Sequence, residues 1–158
     1  MPKTLEGRSV DGRGPIAIVV SRYNNSITMN LLEGAISTLT EYGVADDDIT
    51  VSWVPGAWEL PVVAAHYAQD NKHTAVICLG AVIKGETTHD EYINHQVSQS
   101  LGRLAVENTK PVIFGVLTCN SLEQAINRSG GTVGNKGAES AMAALEMSDL
   151  MGKLNGSL

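Results

Sequence analysis

Ala75-Val76-Ile77-Cys78-Leu79-Gly80-Ala81-Val82-Ile83 is the most apolar stretch of this chain, and the fold is read outward from it. A continuous apolar run, not an alternating one, is the mark of a strand buried on both faces, as in a parallel sheet. It reads as the central strand. The chain then changes character: Lys84-Gly85-Glu86-Thr87-Thr88-His89 is polar and carries a glycine, and a helix is expected from about His89 to Asn108. Thr88 with Glu91 matches the S/T-x-x-E pattern that closes a helix start.

Upstream, Ile16-Ala17-Ile18-Val19-Val20 is a second short apolar run. Ile27, Leu31, Ala35, Leu39 and Tyr42 follow at helical spacing, and Gly43 closes that helix. Asp46-Asp47-Asp48 is expected to be a solvated turn, and Ile49 to Val54 a strand ended by Pro55-Gly56. A helix from about Trp58 to Asn71 leads back to the central strand. Downstream, Pro111 to Leu117 is a fourth strand, and Ser121 with Gln124 caps a short helix through Arg128. The glycine-rich stretch Gly130 to Gly137 is expected to break the chain before a last helix, Ala138 to Leu154.

Strands and helices alternating in this way require right-handed crossovers and a parallel sheet with helices on both faces. The expected architecture is a three-layer α/β/α sandwich with a four-stranded parallel sheet. Residues 1–14 are expected to form an extended N-terminal arm and residues 15–158 a single domain. In such sheets ligands bind beyond the carboxyl ends of the strands. Four loops are nominated: Ser21–Asn25, Val54–Glu59, Val82–His89 and Leu117–Asn120.

Composition narrows the function. With 158 residues and 43% apolar residues the chain has enough material for one folded core. A net charge of −6 argues against a nucleic-acid footprint. No apolar run is long enough to span a membrane, and the start has no secretory apolar region, so the cytoplasm is expected. Cys78 and Cys119 are expected to pack as reduced thiols, with a nucleophilic Cys119 as the minor alternative. His66, His73, His89 and His95 fall into no metal-ligand spacing.

The chemistry concentrates in the third loop. Backbone N–H groups around Gly85 to Thr87 would gather at a helix start, which favours an anion. His89 in the first turn is either a proton carrier, as histidine commonly is at neutral pH, or simply a solvated residue. Arg128 is a second anion ligand or an exposed helix end, with Lys136 nearby. Glu59, at a helix start, can accept hydrogen bonds from a polyol or amine. Trp58 is expected to pack in the core, and Tyr23 can stack on a flat heterocycle. Phe114 is core if its strand is central, and can reach a neighbour's site if that strand is an edge. The stretch Gly130 to Gly137 lacks the order of a P-loop, and no G-x-G-x-x-G follows the first strand.

Five segments together resemble the lumazine synthase family of riboflavin biosynthesis: Pro55 to Pro61, Leu79 to His89, Phe114 to Thr118, Glu123 to Arg128, and Gly134 to Gly137. The resemblance runs in order along nearly the whole chain. It implies a flavodoxin-like fold and a transferase that condenses 5-amino-6-(D-ribitylamino)uracil with 3,4-dihydroxy-2-butanone 4-phosphate. The products are 6,7-dimethyl-8-ribityllumazine, phosphate and water, and no cofactor is implied. Carried over by position, His89 transfers protons and Tyr23 stacks on the pyrimidine. Ala57, Trp58 and Glu59 hold the ribityl chain and ring, and Ala81, Val82 and Ile83 line the heterocycle pocket. Gly85, Glu86, Thr87 and Arg128 hold phosphate, while Phe114 and Lys136 arrive from an adjacent subunit. Family members are pentamers or icosahedral shells of pentamers, and riboflavin synthase is a possible partner. The Arg128-to-Lys136 spacing leans toward the shell. Tyr23 stands where Phe or Trp is common, and Thr132 where many shell formers carry Lys.

Overall fold

Four strands, β1 (Ile16–Ser21), β2 (Ile49–Val54), β3 (Ala75–Ile83) and β4 (Val112–Cys119), pair in the order β2-β1-β3-β4, and every pairing is parallel. These come from a computed structural model that describes residues 1–9 and 14–156. The two central strands are the two continuous apolar runs: every residue of Ile16–Val20 and of Ala75–Leu79 is fully buried. A strand with a neighbour on each side and helices on each face has no solvent side, so its sequence carries no polar alternation.

Among the described residues five α-helices form the outer layers: α1 (Asn25–Glu41), α2 (Leu60–Gln69), α3 (His89–Asn108), α4 (Leu122–Asn127) and α5 (Lys136–Leu154). Side chains alternate across a strand. Ile16, Ile18, Val20, Ile77 and Leu79 therefore face α1 and α5, which bring Leu31, Ala35, Leu39, Ala144 and Leu145 to one core. Ala17, Val19, Val76 and Cys78 face α2 and α3, which supply Leu60, Ala64, Val97 and Leu101 to a second. The expected three-layer sandwich is the observed one. Cys78 lies inside the second core, and burial pushes its thiol up to about 12, leaving it an inert packing group.

The segment after α4 departs from expectation. Ser129–Gly131 and Gly134–Asn135 pair as a two-stranded antiparallel ladder, β5 and β6, with Gly130 and Gly134 at φ 105° and 107°. The glycines supply the left-handed turns of a hairpin and do not simply interrupt the chain. The last helix also begins earlier than Ala138. Asn135 is its N-cap, with Oδ1 accepting from Gly137 N at 2.8 Å and Ala138 N at 3.1 Å. The Asn135 amide also donates to Asn30 O of α1 at 3.0 Å, so one side chain caps α5 and ties it to α1.

Of the expected arm, residues 10–13 lie outside the described residues, as do residues 157–158 of the expected domain. The described part of the arm runs along α5. Arg8 N donates to Asp149 Oδ2 at 2.8 Å, and Lys153 Nζ donates to Glu6 O at 2.8 Å.

At the amino ends of the strands a polar cluster locks the connection from α2 to β3 onto the one from α3 to β4. Lys110 Nζ donates to Tyr67 O and Asp70 O at 2.8 and 2.7 Å, and to Asp70 Oδ1 at 3.3 Å. His73, buried, meets Asp70 Oδ2 through Nδ1 at 2.7 Å. Burial alone would raise the Asp70 carboxyl, but hydrogen bonds from His73 backbone and ring, Lys72 N and Lys110 outweigh it. They hold it well below the usual carboxylate range.

Candidate active site

The four nominated loops meet at the carboxyl edge of the sheet, and backbone hydrogen bonds join them. Arg22 N donates to Val54 O at 2.8 Å and Tyr23 N to Pro55 O at 3.0 Å, fastening the β1 loop to the β2 loop. Asn24 adopts a left-handed conformation, φ 62° and ψ 46°, and its Nδ2 donates to Ala81 O at 2.8 Å. Lys84 N donates to Cys119 O at 2.8 Å, fastening the β3 loop to the end of β4. The rim is a braced frame.

Two cavities open on this frame. The first, of about 530 Å³, gathers Tyr23 and Asn24 from the β1 loop and Ala57 to Glu59 from the β2 loop. Ala81, Val82, Ile83, Gly85, Thr87, His89 and Asp90 from the end of β3 and the start of α3 complete it. The second, of about 400 Å³, lies along β4 and holds Phe114, Thr118, Cys119, Arg128, Lys136 and Glu139. Both volumes fall in the range of small-ligand sites, about 300–1,000 Å³. Their charges differ in sign. Among the described residues the first has Glu59 and Asp90 on its wall with no lysine or arginine, whereas the second pairs Arg128 and Lys136 with the single carboxylate of Glu139.

The structure corrects Trp58. Ala57–Glu59 is a 3₁₀ turn, in which positions three apart share a face. Ala57 and Leu60 take the inward face at 9% and 0% exposure, which turns Trp58 outward, 53% exposed, onto the rim of the first cavity. Tyr23, 74% exposed, stands on the same rim.

The expected capping box at α3 does not form. Thr88 has φ −89° and ψ 14°, outside the extended region a capping residue needs, and its side chain makes no cap bond. The Thr87 hydroxyl accepts from His89 N instead, at a long 3.4 Å, while Glu91 N donates to Thr88 O at 3.0 Å. At Gly85 the space where a Cβ would stand is open. Glu86 is exposed beside it and lines neither cavity.

β4 is an edge strand, so Phe114 is not core: it is 38% exposed and lines the second cavity. Arg128, expected beside Gly85 to Thr87, lies with Phe114 and Lys136. It caps the end of α4; at the start of that helix Ser121 accepts from Gln124 N, as the sequence pattern requires. Cys119 is 6% exposed, and burial raises its thiol although the Arg128 charge opposes that rise. That is the environment of a packed thiol and not of a nucleophile. Sequence reasoning passed over Asn24 and Glu139. The signal for Asn24 was an asparagine just past a buried strand, a residue type that tolerates left-handed backbone.

An open parallel sheet with ligand-sized cavities at its carboxyl edge defines an α/β protein that works on small molecules. The family model for 6,7-dimethyl-8-ribityllumazine synthase matches residues 14–152 of the 158, and the chain belongs to that family. It is accordingly a transferase of riboflavin biosynthesis. Among the described residues no helix is long and apolar enough to cross a membrane.

Proposed function

We propose that this enzyme condenses 5-amino-6-(D-ribitylamino)uracil with 3,4-dihydroxy-2-butanone 4-phosphate to give 6,7-dimethyl-8-ribityllumazine, phosphate and water. The observation that carries the reading is the division of opposite charge and complementary parts between two cavities of one chain. The first has the stacking ring of Tyr23, the Trp58 and Glu59 rim, the backbone of Ala81 to Ile83, and His89. It suits a hydrogen-bonding heterocycle with a polyol tail. The second has the cations that a phosphate needs, Arg128 and Lys136, beside the flat face of Phe114.

The working site joins the first cavity of one subunit to the second cavity of its neighbour in a homo-oligomer. Gly85, Thr87 and His89 then meet Arg128, Lys136 and Phe114 across the contact, and the main-chain donors of the loop complete the phosphate site. Glu86 contributes there through its backbone, since its carboxylate would repel the anion.

In this site the primary amine attacks the ketone and water leaves as the imine forms. Loss of the proton beside the imine expels phosphate and gives an enol that becomes a second ketone. The ribityl-bearing nitrogen attacks that ketone, and a second water leaves as the ring closes. Holding the two reactants together supplies most of the acceleration, and His89 carries protons between the steps. The test is a coupled assay with both substrates, following lumazine absorbance and fluorescence. Product that forms only when both are present supports the reading. Binding of riboflavin without any turnover of the pair would replace it with a flavin- or pterin-binding role.

A further inference from the structure

We propose that Asn135 is a positioning residue for the phosphate-binding pair Arg128 and Lys136, and that Gly34 of α1 is the seat that holds it. This deepens the reading above and rests on it for the identity of the anion. Lys136 is the first residue of α5 and Gly137 the second, so the turn that carries the cation includes the residue type with the greatest backbone freedom. The first N–H groups of a helix have no partner within it, and a turn of this kind frays unless they are held. Asn135 holds those of Gly137 and Ala138 through its single side-chain oxygen. The N–H of Lys136 itself donates to Arg128 O at 2.9 Å, and Ser129 pairs with Asn135 across the hairpin. The main chains of the two cations are thus tied to each other through the segment that Asn135 anchors.

What Asn135 is anchored to is α1. Its Nδ2 donates to Asn30 O, and its amide fills the space beside Gly34, where a Cβ would come within 2.5 to 2.6 Å of Oδ1, Cγ and Nδ2. Gly34 lies in mid-helix without left-handed backbone, a place where glycine is less favourable than alanine. Its own helix therefore gains nothing from it. The room it leaves is taken by the Asn135 amide. Neither Asn135 nor Gly34 lines either cavity, so both act through Arg128 and Lys136, which do.

The experiment compares the assembled enzyme with Asn135→Ala and Gly34→Ala, measuring KM for each substrate and the Kd of inorganic phosphate by calorimetry. Both variants should raise KM for the butanone phosphate and Kd for phosphate about threefold to tenfold, the scale on which a lost helix cap acts when binding needs the turn formed. KM for the amine should not change. Gly34→Ala alters a helix outside the cavity, and alanine favours that helix, so a weaker phosphate site in this variant supports the displaced amide as the cause. In a Lys136→Ala background the effect of Gly34→Ala should largely vanish. Asn135→Ser keeps a capping oxygen and should fall between the parent and Asn135→Ala, and it takes the place of Asn135→Ala if that variant does not fold. A rise in KM for both substrates together overturns the assignment, as does an unchanged phosphate Kd in Gly34→Ala or full additivity with Lys136→Ala. A parent that binds phosphate, more weakly in both variants, yet forms no lumazine overturns the condensation and upholds the positioning role.

Discussion

Arg128 and Lys136 are the cations of the proposed site, and both stand in the cavity along β4. A charge-assisted contact from guanidinium to phosphate is worth about ten- to hundredfold in affinity. Arg128→Ala should therefore raise KM for the butanone phosphate by about that factor and leave KM for the amine nearly unchanged, as steady-state kinetics with each substrate varied will show. His89→Ala should lower kcat by up to about a hundredfold without abolishing it, because orientation survives the loss of one proton carrier. Most residues that line the two cavities were legible in the chain by type and position: carboxyl ends of strands, a glycine beside a helix start, a lone arginine after a capped turn. Trp58 was misread because aromatic residues are usually core, and only the three-residue period of the turn at Ala57–Glu59 shows it facing outward.

α5 is seated by two residues at its start. Gly137 lies so close to α1 that a Cβ there would overlap the Leu31 carbonyl, and Asn135 bonds both helices. Gly137→Ala should cost about 1–3 kcal/mol by forcing α1 and α5 apart, read as a lower melting temperature. At the opposite end of the sheet, Asp70 accepts from His73, Lys72 and Lys110. Asp70→Asn should cost about 1–3 kcal/mol near neutral pH. The folded-state carboxyl titrates lower than the unfolded one, so its stabilisation is present above the unfolded value of 3.8 and fades as pH falls toward the folded value. Denaturant melts of parent and variant should therefore converge below about pH 4. The strands and long helices could be read from periodicity because burial on one or both faces dictates it. The β5–β6 hairpin could not, since a ladder of two and three residues, mostly glycine, leaves no periodic trace.

In the proposed assembly the two cavities acquire a joint function that neither has alone. Which subunit supplies which wall is invisible in a linear sequence, because a chain lists its residues without saying which copy they meet. Mixing equal amounts of His89→Ala and Arg128→Ala subunits, dissociated and reassembled together, should restore about a quarter of the sites to intact composition. Activity above the mean of the two separate variants checks this, and strict averaging would place both cavities of a working site in one subunit. The opposite charges of the cavities have a geometric consequence. A two-fold axis can match unlike surfaces only when both cavities lie in one face, residue i meeting j as j meets i, and such a pair fills two sites in one contact. Where the two cavities lie on separate faces, subunits joined head to tail leave none empty only when the last meets the first, so the proposed assembly closes as a ring.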